Sequence, residues 1–243
     1  TSGCCSFIQA TLKQSLNKID FLKTNSPKAA TTEPRNKAFQ KVGCYEVIVV
    51  NDNSSDTTEN LLEDNKNLYT KIFKNKKNLG KGGAVKIGIE NAEGEFVLFQ
   101  DADDEYDPYD YLDFIKLVEK IKNVDLVIGS RFNYKNYSRS HYFYNKIGNY
   151  LITCLFNMLN NTTFTDIYTC YIMFRKNKLD LSKINTSGFE QQAEILSNII
   201  KNGNKFFEVP INYNGRTHAE GKKIKFYHIF LVIFQIIFCK IKN

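Results

Sequence analysis

The chain has 243 residues, of which 42% are hydrophobic and 24% are charged. This composition excludes a wholly disordered protein, and the length suits one α/β domain with a single large core. The net charge of +7 favours partners that carry phosphate groups, but it does not choose among nucleotides, phospholipids and nucleic acid.

The cysteines and the first residues indicate where the protein works. The six cysteines lack the spacing of a zinc site and are too sparse for a disulfide framework, which favours a reducing compartment. Residues 1–20 lack the basic-then-apolar order of a signal peptide, so we expect none. The basic residues are dispersed and form no recognised module, so we expect no nucleic-acid partner. The expected location is the cytoplasm or the cytoplasmic side of a membrane.

The first 44 residues differ in texture from the rest of the chain. Four apolar residues recur at helical spacing and predict a helix within residues 1–20; they are Phe7, Leu12, Leu16 and Ile19. Residues 22–42 are polar and basic, with two prolines, and are predicted to be a linker. We therefore interpret residues 1–44 as a divergent N-terminal helix and basic linker that precede a domain over residues 45–225.

From Tyr45 onward, short apolar strands alternate with helical segments. The predicted strands lie at residues 47–50, 70–74, 96–99 and 125–129, and the predicted helices at 57–65, 81–92, 109–122 and 142–159. This alternation predicts an α/β fold with a mainly parallel central sheet flanked by helices. In such sheets, ligands bind beyond the carboxyl ends of the strands.

Acidic residues follow two of the predicted strands. Asp52 and Asp56 come after the first strand, and Asp101-Ala102-Asp103 comes after the strand at residues 96–99. Two carboxylates one residue apart can hold a hard divalent cation, and a diphosphate would complete its shell. The same residues could instead form an acidic turn that begins the next helix. Asp101, Asp103 and Asp104 come together directly after an apolar strand, and this favours a ligand-binding site over a simple turn.

A glycine-rich segment, residues 78–84, lies between these clusters at a predicted helix start. Glycines such as Gly80 let the backbone approach a ligand closely, and a helix N-terminus favours anions. The spacing around Gly80-Lys81 is not that of a Walker A loop. The segment is therefore a candidate phosphate contact of another kind.

Together these segments resemble glycosyltransferase family 2. The segments that follow the family's order are residues 47–57 (VIVVNDNSSDT), 78–84 (NLGKGGA), 101–103 (DAD), 129–132 (GSRF), 165–166, 174–175, 188–190, 208–211 and 216–223. The later ones are similar to the branch that transfers sugars to polyprenyl phosphates such as dolichyl or undecaprenyl phosphate. The resemblance covers roughly residues 45–235.

The resemblance implies a GT-A fold and an inverting transfer from a UDP- or GDP-sugar to a lipid phosphate, with Mg²⁺ or Mn²⁺. It implies nucleotide contacts, with the base bound by the first of these residues: Asp52, Asp56, Gly80, Lys81 and Asp101. It assigns the metal to Asp101 and Asp103. It places Asp166 near the sugar and acceptor, and it directs four cations to the phosphates: Arg131, Arg216, Lys222 and Lys223.

Residues 226–243 form an apolar C-terminal region whose run is too short for a membrane span. A buried core helix is one interpretation. The other is a helix in the membrane interface, with lysines at both ends facing anionic headgroups. Residues 142–159 could line a lipid-facing groove beside it. We therefore expect peripheral membrane contact.

Two departures from the family keep other functions open. No first strand is recognisable before Tyr45, so a missing or divergent strand, and with it a non-catalytic homologue, is one alternative. Cys170 stands where relatives usually have glycine and could crowd the acceptor pocket. The other alternative is transfer to a saccharide or protein hydroxyl, which would need Asp166 or Glu190 as a general base.

Overall fold

The structure is a computed structural model that describes residues 5–11, 45–101, 105–133, 135, 139, 143–216 and 228–242. The strands are β1 (Cys5–Thr11), β2 (Tyr45–Asn51), β3 (Lys71–Lys74), β4 (Phe96–Asp101), β5 (Leu126–Ser130), β6 (Ile172–Arg175) and β7 (Phe206–Pro210). The α-helices are α1 (Thr58–Asp64), α2 (Gly80–Glu90), α3 (Tyr111–Lys120), α4 (Phe143–Asn160), α5 (Gln191–Asn202) and α6 (His228–Lys242).

The strands form one sheet in the order β3-β2-β1-β4-β6-β5-β7. All neighbouring pairs are parallel except those of β6, which runs antiparallel to both β4 and β5. This confirms the predicted α/β fold with a mainly parallel sheet. The carboxyl ends of β1, β2, β4 and β5 meet at one edge, where we look for the site.

The N-terminal prediction is wrong over Cys5–Thr11. These residues form β1, which lies between β2 and β4 and pairs Cys5 with both Tyr45 and Phe96. The first strand, for which we left open that it was missing or divergent, is therefore present, and the predicted boundary at residue 45 falls inside the sheet. Pairing on both sides overrides the local helical spacing. The remainder of that spacing and the predicted linker lie outside the described residues.

The core lies on both faces of the sheet because side chains of a strand alternate between them. Ile48 and Val50 of β2 are completely buried on the face covered by α2, α4, α5 and α6. Leu98 of β4 is completely buried on the other face, where α3 packs with Tyr111 and Phe114. Packing on both faces holds the strand ends, and the loops that follow them, in a fixed arrangement.

Candidate functional site

The loop after β2 is built around Asp52, which is completely buried. Its carboxylate accepts hydrogen bonds from the backbone N–H groups of Leu79 and Gly80, both at 2.8 Å, and from Asn75 Nδ2 at 2.7 Å. Asp52 therefore holds the N-terminus of α2, where the helix dipole favours a negative charge. Its contact with a nucleotide base stays a prediction.

Asp56 follows in the same loop but is exposed. Its carboxylate accepts hydrogen bonds from the backbone N–H of Thr58 at 3.3 Å and from the hydroxyl of Thr58 at 2.6 Å. The side chain therefore shapes the start of α1. Its predicted contact with the nucleotide stays a prediction.

The glycine-rich segment contacts the protein's own backbone. Gly80 has a φ of +80°, a conformation that glycine adopts readily. The N–H of Gly82 donates to the carbonyl of Ser187 at 2.8 Å, and a Cβ on Gly82 would lie 2.6 Å from Ser187 Cα. The close approach that the sequence suggested toward a ligand is thus made here to residue 187. Phosphate contact by Gly80 stays a prediction.

Lys81 connects the start of α2 to the end of β4. Its Nζ lies 2.8 Å from Asp101 Oδ2 and 2.9 Å from Cys170 Sγ. Burial disfavours the charged form of Asp101, but the charge of Lys81, the hydrogen bonds from Cys170 and Lys81 and the charge of Arg216 together outweigh burial and hold the pKa of Asp101 below its usual range. Burial raises the pKa of Cys170 to about 12, so its thiol is not a nucleophile at neutral pH.

Three of the predicted site residues, Asp103, Lys222 and Lys223, lie outside the described residues. Within the described ranges, no three His, Cys, Asp or Glu side chains come together in a way that could hold a metal ion. Asp101 is the described member of the predicted metal pair. Its lowered pKa makes it an ionised oxygen donor, which is the kind of ligand that Mg²⁺ and Mn²⁺ accept.

A buried ion pair joins β5 to the loop before β6. Asp166 is completely buried, and its carboxylate accepts from Arg131 Nε at 2.6 Å, Arg131 Nη2 at 2.8 Å and Asn149 Nδ2 at 3.1 Å. Arg131 also donates to the carbonyl of Tyr168 at 2.9 Å and lies 5.1 Å from the ring centroid of Tyr213. Burial disfavours the charge of Arg131, but the charge and hydrogen bonds of Asp166, with Tyr106 and Tyr213 nearby, together outweigh burial and raise the pKa of Arg131. Two predicted site residues thus form one two-point pair.

Glu208 of β7 holds the backbone of the loop that carries Asp166. Its Oε1 accepts from the backbone N–H groups of Thr165 at 2.8 Å and Asp166 at 3.3 Å. Burial raises the pKa of Glu208 above its usual range. The sequence contained Glu208 only as part of a family segment, and no local pattern indicates that it holds a loop 43 positions away.

Arg216 lies beside the end of β4. Its backbone N–H and its Nε both donate to Glu105 Oε1 at 2.9 Å. The positive charge of Arg216 also helps to lower the pKa of Asp101. The structure therefore pairs a predicted phosphate-binding cation with Glu105, which follows Asp101 by four positions in the chain. Glu105 was not singled out by its sequence, because its partner lies 111 positions away.

A pocket opens next to Arg131, between α4 and α6. Its polar lining includes Arg131, Asn145, Lys146, Asn149 and His228, and its apolar lining includes Phe132, Ile152, Phe189, Ile229 and Val232. Cationic and aliphatic side chains together give the pocket an amphipathic lining.

The pocket adjoins an exposed apolar face, which we call the apolar surface. All but one of the exposed large hydrophobic side chains in the described residues lie on α4 and α6: Phe143, Tyr144, Ile147, Tyr150, Leu151 and Met158 on α4, and Phe230, Leu231, Phe234, Ile237, Phe238 and Ile241 on α6. The opposite side of α6 is buried through Val232 and Ile236. One side of α6 is therefore part of the core, as the first interpretation predicted, and a position of its exposed side in the membrane interface stays a prediction.

None of the helices in the described ranges has the length and apolar character that crossing a bilayer requires.

Comparison with known sequences identifies a matching family and similar proteins. The family described as Glycosyl transferase family 2 matches residues 38–180. A dolichyl-phosphate beta-glucosyltransferase of Dictyostelium discoideum is 38% identical over 93 residues, which cover 36% of this chain and 28% of that protein. A dolichol-phosphate mannosyltransferase of Pyrococcus furiosus is 29% identical over 182 residues, which cover 73% of this chain and 50% of that protein. The chain thus spans half or less of the length of these two relatives.

Solved structures with a similar fold include two that contain UDP. Glucosyl-3-phosphoglycerate synthase from Mycobacterium tuberculosis, in complex with Mn²⁺, UDP and phosphoglyceric acid, has a TM-score of 0.66 at 12% identity and covers 99% of this chain and 78% of its own. S. aureus TarS 1-349 in complex with UDP has a TM-score of 0.55 at 20% identity and covers 96% of this chain and 65% of its own.

Proposed function

The chain belongs to glycosyltransferase family 2 and has the GT-A fold, and from this premise we propose that it transfers a sugar to a polyprenyl phosphate. The donor is a UDP- or GDP-sugar, the reaction inverts the anomeric centre, and the enzyme is a hexosyltransferase. The observation that carries this proposal is the amphipathic pocket beside Arg131, which adjoins the apolar surface. The similarity to dolichyl-phosphate transferases supports the same acceptor class.

The pocket suits a lipid phosphate because its two kinds of lining match the two parts of such a molecule. Lys146 offers a positive charge to the phosphate, and Arg131, held in a two-point pair by Asp166, offers its remaining guanidinium N–H groups. Ile152, Ile229 and Val232 offer an aliphatic wall to the first isoprene units. The rest of the lipid chain would continue over the apolar surface toward the bilayer.

The state of Asp166 favours a phosphate acceptor over a hydroxyl acceptor. A sugar or protein hydroxyl needs a base to remove its proton, whereas a phosphate monoester is already anionic near neutral pH. The carboxylate of Asp166 is completely buried and accepts two hydrogen bonds from Arg131, so it is held as an ion pair. We assign it to holding Arg131 in place near the sugar and the acceptor.

The reaction is a single displacement. A phosphate oxygen of the acceptor attacks the anomeric carbon, and the bond from that carbon to the diphosphate breaks with its electron pair on the departing nucleoside diphosphate. No proton needs to move, and attack opposite the leaving group inverts the centre. Catalysis therefore rests on positioning and on stabilisation of the leaving charge.

The residues around the end of β4 would stabilise the charge of the leaving diphosphate. Asp101 fits a hard cation because it is an ionised oxygen donor, and Asp103 would be the second protein ligand. A bound Mg²⁺ or Mn²⁺ would neutralise charge on the diphosphate. Arg216, which pairs with Glu105, would contact the diphosphate, and Lys222 and Lys223 follow it in the chain as further phosphate contacts.

The apolar surface is proposed to lie in the membrane interface. Lys146 on α4 and Lys240 and Lys242 on α6 are exposed, so positive charge accompanies the apolar side chains on both helices. Apolar side chains that enter the headgroup region and lysines that face anionic lipids together give reversible attachment. We place this attachment on the cytoplasmic side.

Different observations argue against transfer to a hydroxyl and against a non-catalytic homologue. Transfer to a hydroxyl would need a base, and Asp166 is engaged with Arg131. Glu190 accepts from the N–H of Gly188 at 3.3 Å and keeps the hydroxyl reaction as an outcome of the test. The non-catalytic homologue was motivated by a missing first strand, and β1 is present.

The test is a transfer assay with labelled UDP-glucose and GDP-mannose, Mn²⁺ and three acceptors in detergent. We expect label on a short polyprenyl phosphate and none on the matching polyprenol or on a soluble sugar. Transfer to the soluble sugar with indifference to the lipid phosphate would replace this proposal by the hydroxyl reaction.

A second measurement addresses the donor site. We expect calorimetry to show binding of UDP or GDP that depends on Mn²⁺ and is lost in Asp103→Ala. The matched control is Asp180→Ala, which removes an aspartate that caps a turn formed by residues 181–183. Equal binding by both variants would remove Asp103 from the metal site.

A further inference from the structure

We propose that a second groove beside α4 binds the distal isoprene units of the polyprenyl phosphate acceptor. The groove lies between one side of α4 and residues 161–165, and we call it the side groove. This inference deepens the proposed function and rests on it, because that function supplies the polyprenyl chain. The pocket beside Arg131 would hold the phosphate end, and the side groove would hold a later part of the chain.

The side groove is much larger than the pocket beside Arg131. Its volume is about 680 Å³, against about 110 Å³ for that pocket. Pockets that bind small organic molecules usually have about 300–1,000 Å³. The pocket beside Arg131 therefore has room for the phosphate and the start of the chain, whereas the side groove has room for several further isoprene units.

The two cavities are neighbours. Phe132 and Lys146 line both of them, and Lys146 Nζ lies 6.0 Å from the ring centroid of Phe132. This pair therefore stands at the boundary between the two cavities. A phosphate beside the Lys146 ammonium would have its ester-linked chain next to the Phe132 ring, from which the side groove continues.

Polar side chains of the side groove are already hydrogen-bonded within the protein. Asn157 Nδ2 donates to the carbonyl of Phe164 at 2.7 Å, and Asn157 Oδ1 accepts from the Thr162 hydroxyl at 2.8 Å and from the N–H of Phe164 at 3.1 Å. Thr165 Oγ1 lies 2.6 Å from Ser130 Oγ. Polar groups that are satisfied in this way do not require a polar ligand, which argues against a sugar or a nucleotide in the side groove.

Apolar side chains provide the surface that a hydrocarbon chain would contact. Phe164 is buried, whereas Tyr150 and Met158 are 69% and 71% exposed and belong to the apolar surface. Aromatic faces and a flexible thioether adapt to the shape of an unsaturated chain. Because this rim is part of the apolar surface, a chain in the side groove would reach the bilayer without crossing a polar region.

Tryptophan fluorescence tests whether the chain occupies the side groove, because the protein contains no tryptophan. Tyr150→Trp places a single reporter on the rim. The control is Glu119→Trp, since Glu119 is exposed on α3, which packs on the opposite face of the sheet. Each protein is titrated in the same detergent with undecaprenyl phosphate and, at equal concentration, with geranyl phosphate, whose chain has only two isoprene units. We expect undecaprenyl phosphate to shift the emission of Tyr150→Trp to shorter wavelength, and we expect no shift in the other three titrations.

Three results of this titration would overturn the proposal. The first is no shift of Tyr150→Trp with undecaprenyl phosphate. The second is an equal shift with geranyl phosphate, because the reporter would then sense the phosphate end alone. The third is an equal shift with phosphatidylglycerol at the same phosphate concentration, which would assign the side groove to membrane phospholipids.

A variant that fills the side groove tests its effect on the reaction. Cys154 lines the groove and is exposed, so Cys154→Trp places a large ring in it without disturbing the core. We expect the KM for undecaprenyl phosphate to rise about tenfold, which corresponds to the loss of roughly 55 Å² of apolar contact. The KM for geranyl phosphate should change less than about twofold, and Glu119→Trp should change neither value. An equal rise for both lipids would contradict a groove that holds only the later part of the chain.

The two measurements separate this inference from the proposed function. If undecaprenyl phosphate shifts the emission of Tyr150→Trp but sugar is transferred to neither lipid, the proposed function fails and the side groove keeps its ligand. If sugar is transferred to undecaprenyl phosphate with no shift and with no effect of Cys154→Trp, the proposed function stands and the side groove is overturned.

Discussion

The loop after β2 and the loop before β6 each bury an aspartate completely, but they hold it by different means. Asp52 accepts hydrogen bonds from neutral donors, namely two backbone N–H groups and an asparagine amide. Asp166 accepts two hydrogen bonds from the charged guanidinium of Arg131. The first carboxylate builds a loop, whereas the second holds a cation at the edge of a pocket.

The difference shows how each loop depends on its aspartate. Replacing Asp52 leaves only neutral donors without their acceptor, at a cost near that of a hydrogen bond each. A buried ion pair that loses one member leaves an uncompensated charge in the interior. The loop before β6 should therefore lose more stability when its pair is broken than the loop after β2 loses when Asp52 is replaced, and substitutions test this difference.

Arg131→Met should have the largest effect. It leaves Asp166 without its cation in a completely buried position, and we expect a loss of about 3–5 kcal/mol in the free energy of unfolding. Urea denaturation measures this loss. The matched control is Arg175→Met, whose partner Glu95 is 43% exposed, and we expect it to lose about 1 kcal/mol or less. Equal losses in the two variants would remove the special status of the Arg131–Asp166 pair.

Asp52→Asn should have an intermediate effect. The amide keeps one acceptor oxygen but turns an NH₂ group toward a backbone N–H at the start of α2, so we expect a loss of about 1–2 kcal/mol in the same measurement. Asp56→Asn, in the exposed part of the loop, should lose less than about 0.5 kcal/mol. A loss for Asp52→Asn as large as that for Arg131→Met would contradict the distinction between the loops.

Glu208→Gln should have the smallest effect, visible mainly in its pH dependence. The folded-state pKa of Glu208 is raised by burial, so the native state holds this proton more tightly than the unfolded chain does. The stabilising contribution is present below the ordinary pKa and is lost as pH rises through the raised value. Glutamine does not titrate, so the variant should gain stability relative to the wild type between about pH 4 and pH 7. Unfolding at a series of pH values checks this, and a difference that does not change with pH would be contrary.

The parts of the fold with strong local patterns were predictable. Val47–Val50 and Phe96–Phe99 are apolar runs bounded by polar turns, and both form buried strands. Cys5–Thr11 mixes polar and apolar residues, and its strand form depends on partners that follow much later in the chain. A local pattern cannot report such partners.

The site residues also differ in whether a local pattern or a distant partner marks them. Asp101, Arg131 and Arg216 could be singled out from the sequence because a resemblance and a position at strand ends indicate them. Glu105 could not be, since what marks it is a contact across 111 positions. The approach of Gly82 to Ser187 was hidden for the same reason, because glycine indicates a close contact without naming the partner.

The position of β1 has a consequence for how the protein is made. Cys5 pairs with Phe96, so the ribosome must add roughly 90 residues before the second neighbour of β1 exists. At roughly 5–20 residues per second, this strand waits on the order of 5–20 seconds with an unpaired edge. During that interval the nascent chain is a natural client for chaperones, and the rate of translation through residues 12–96 becomes a variable in the yield of folded protein.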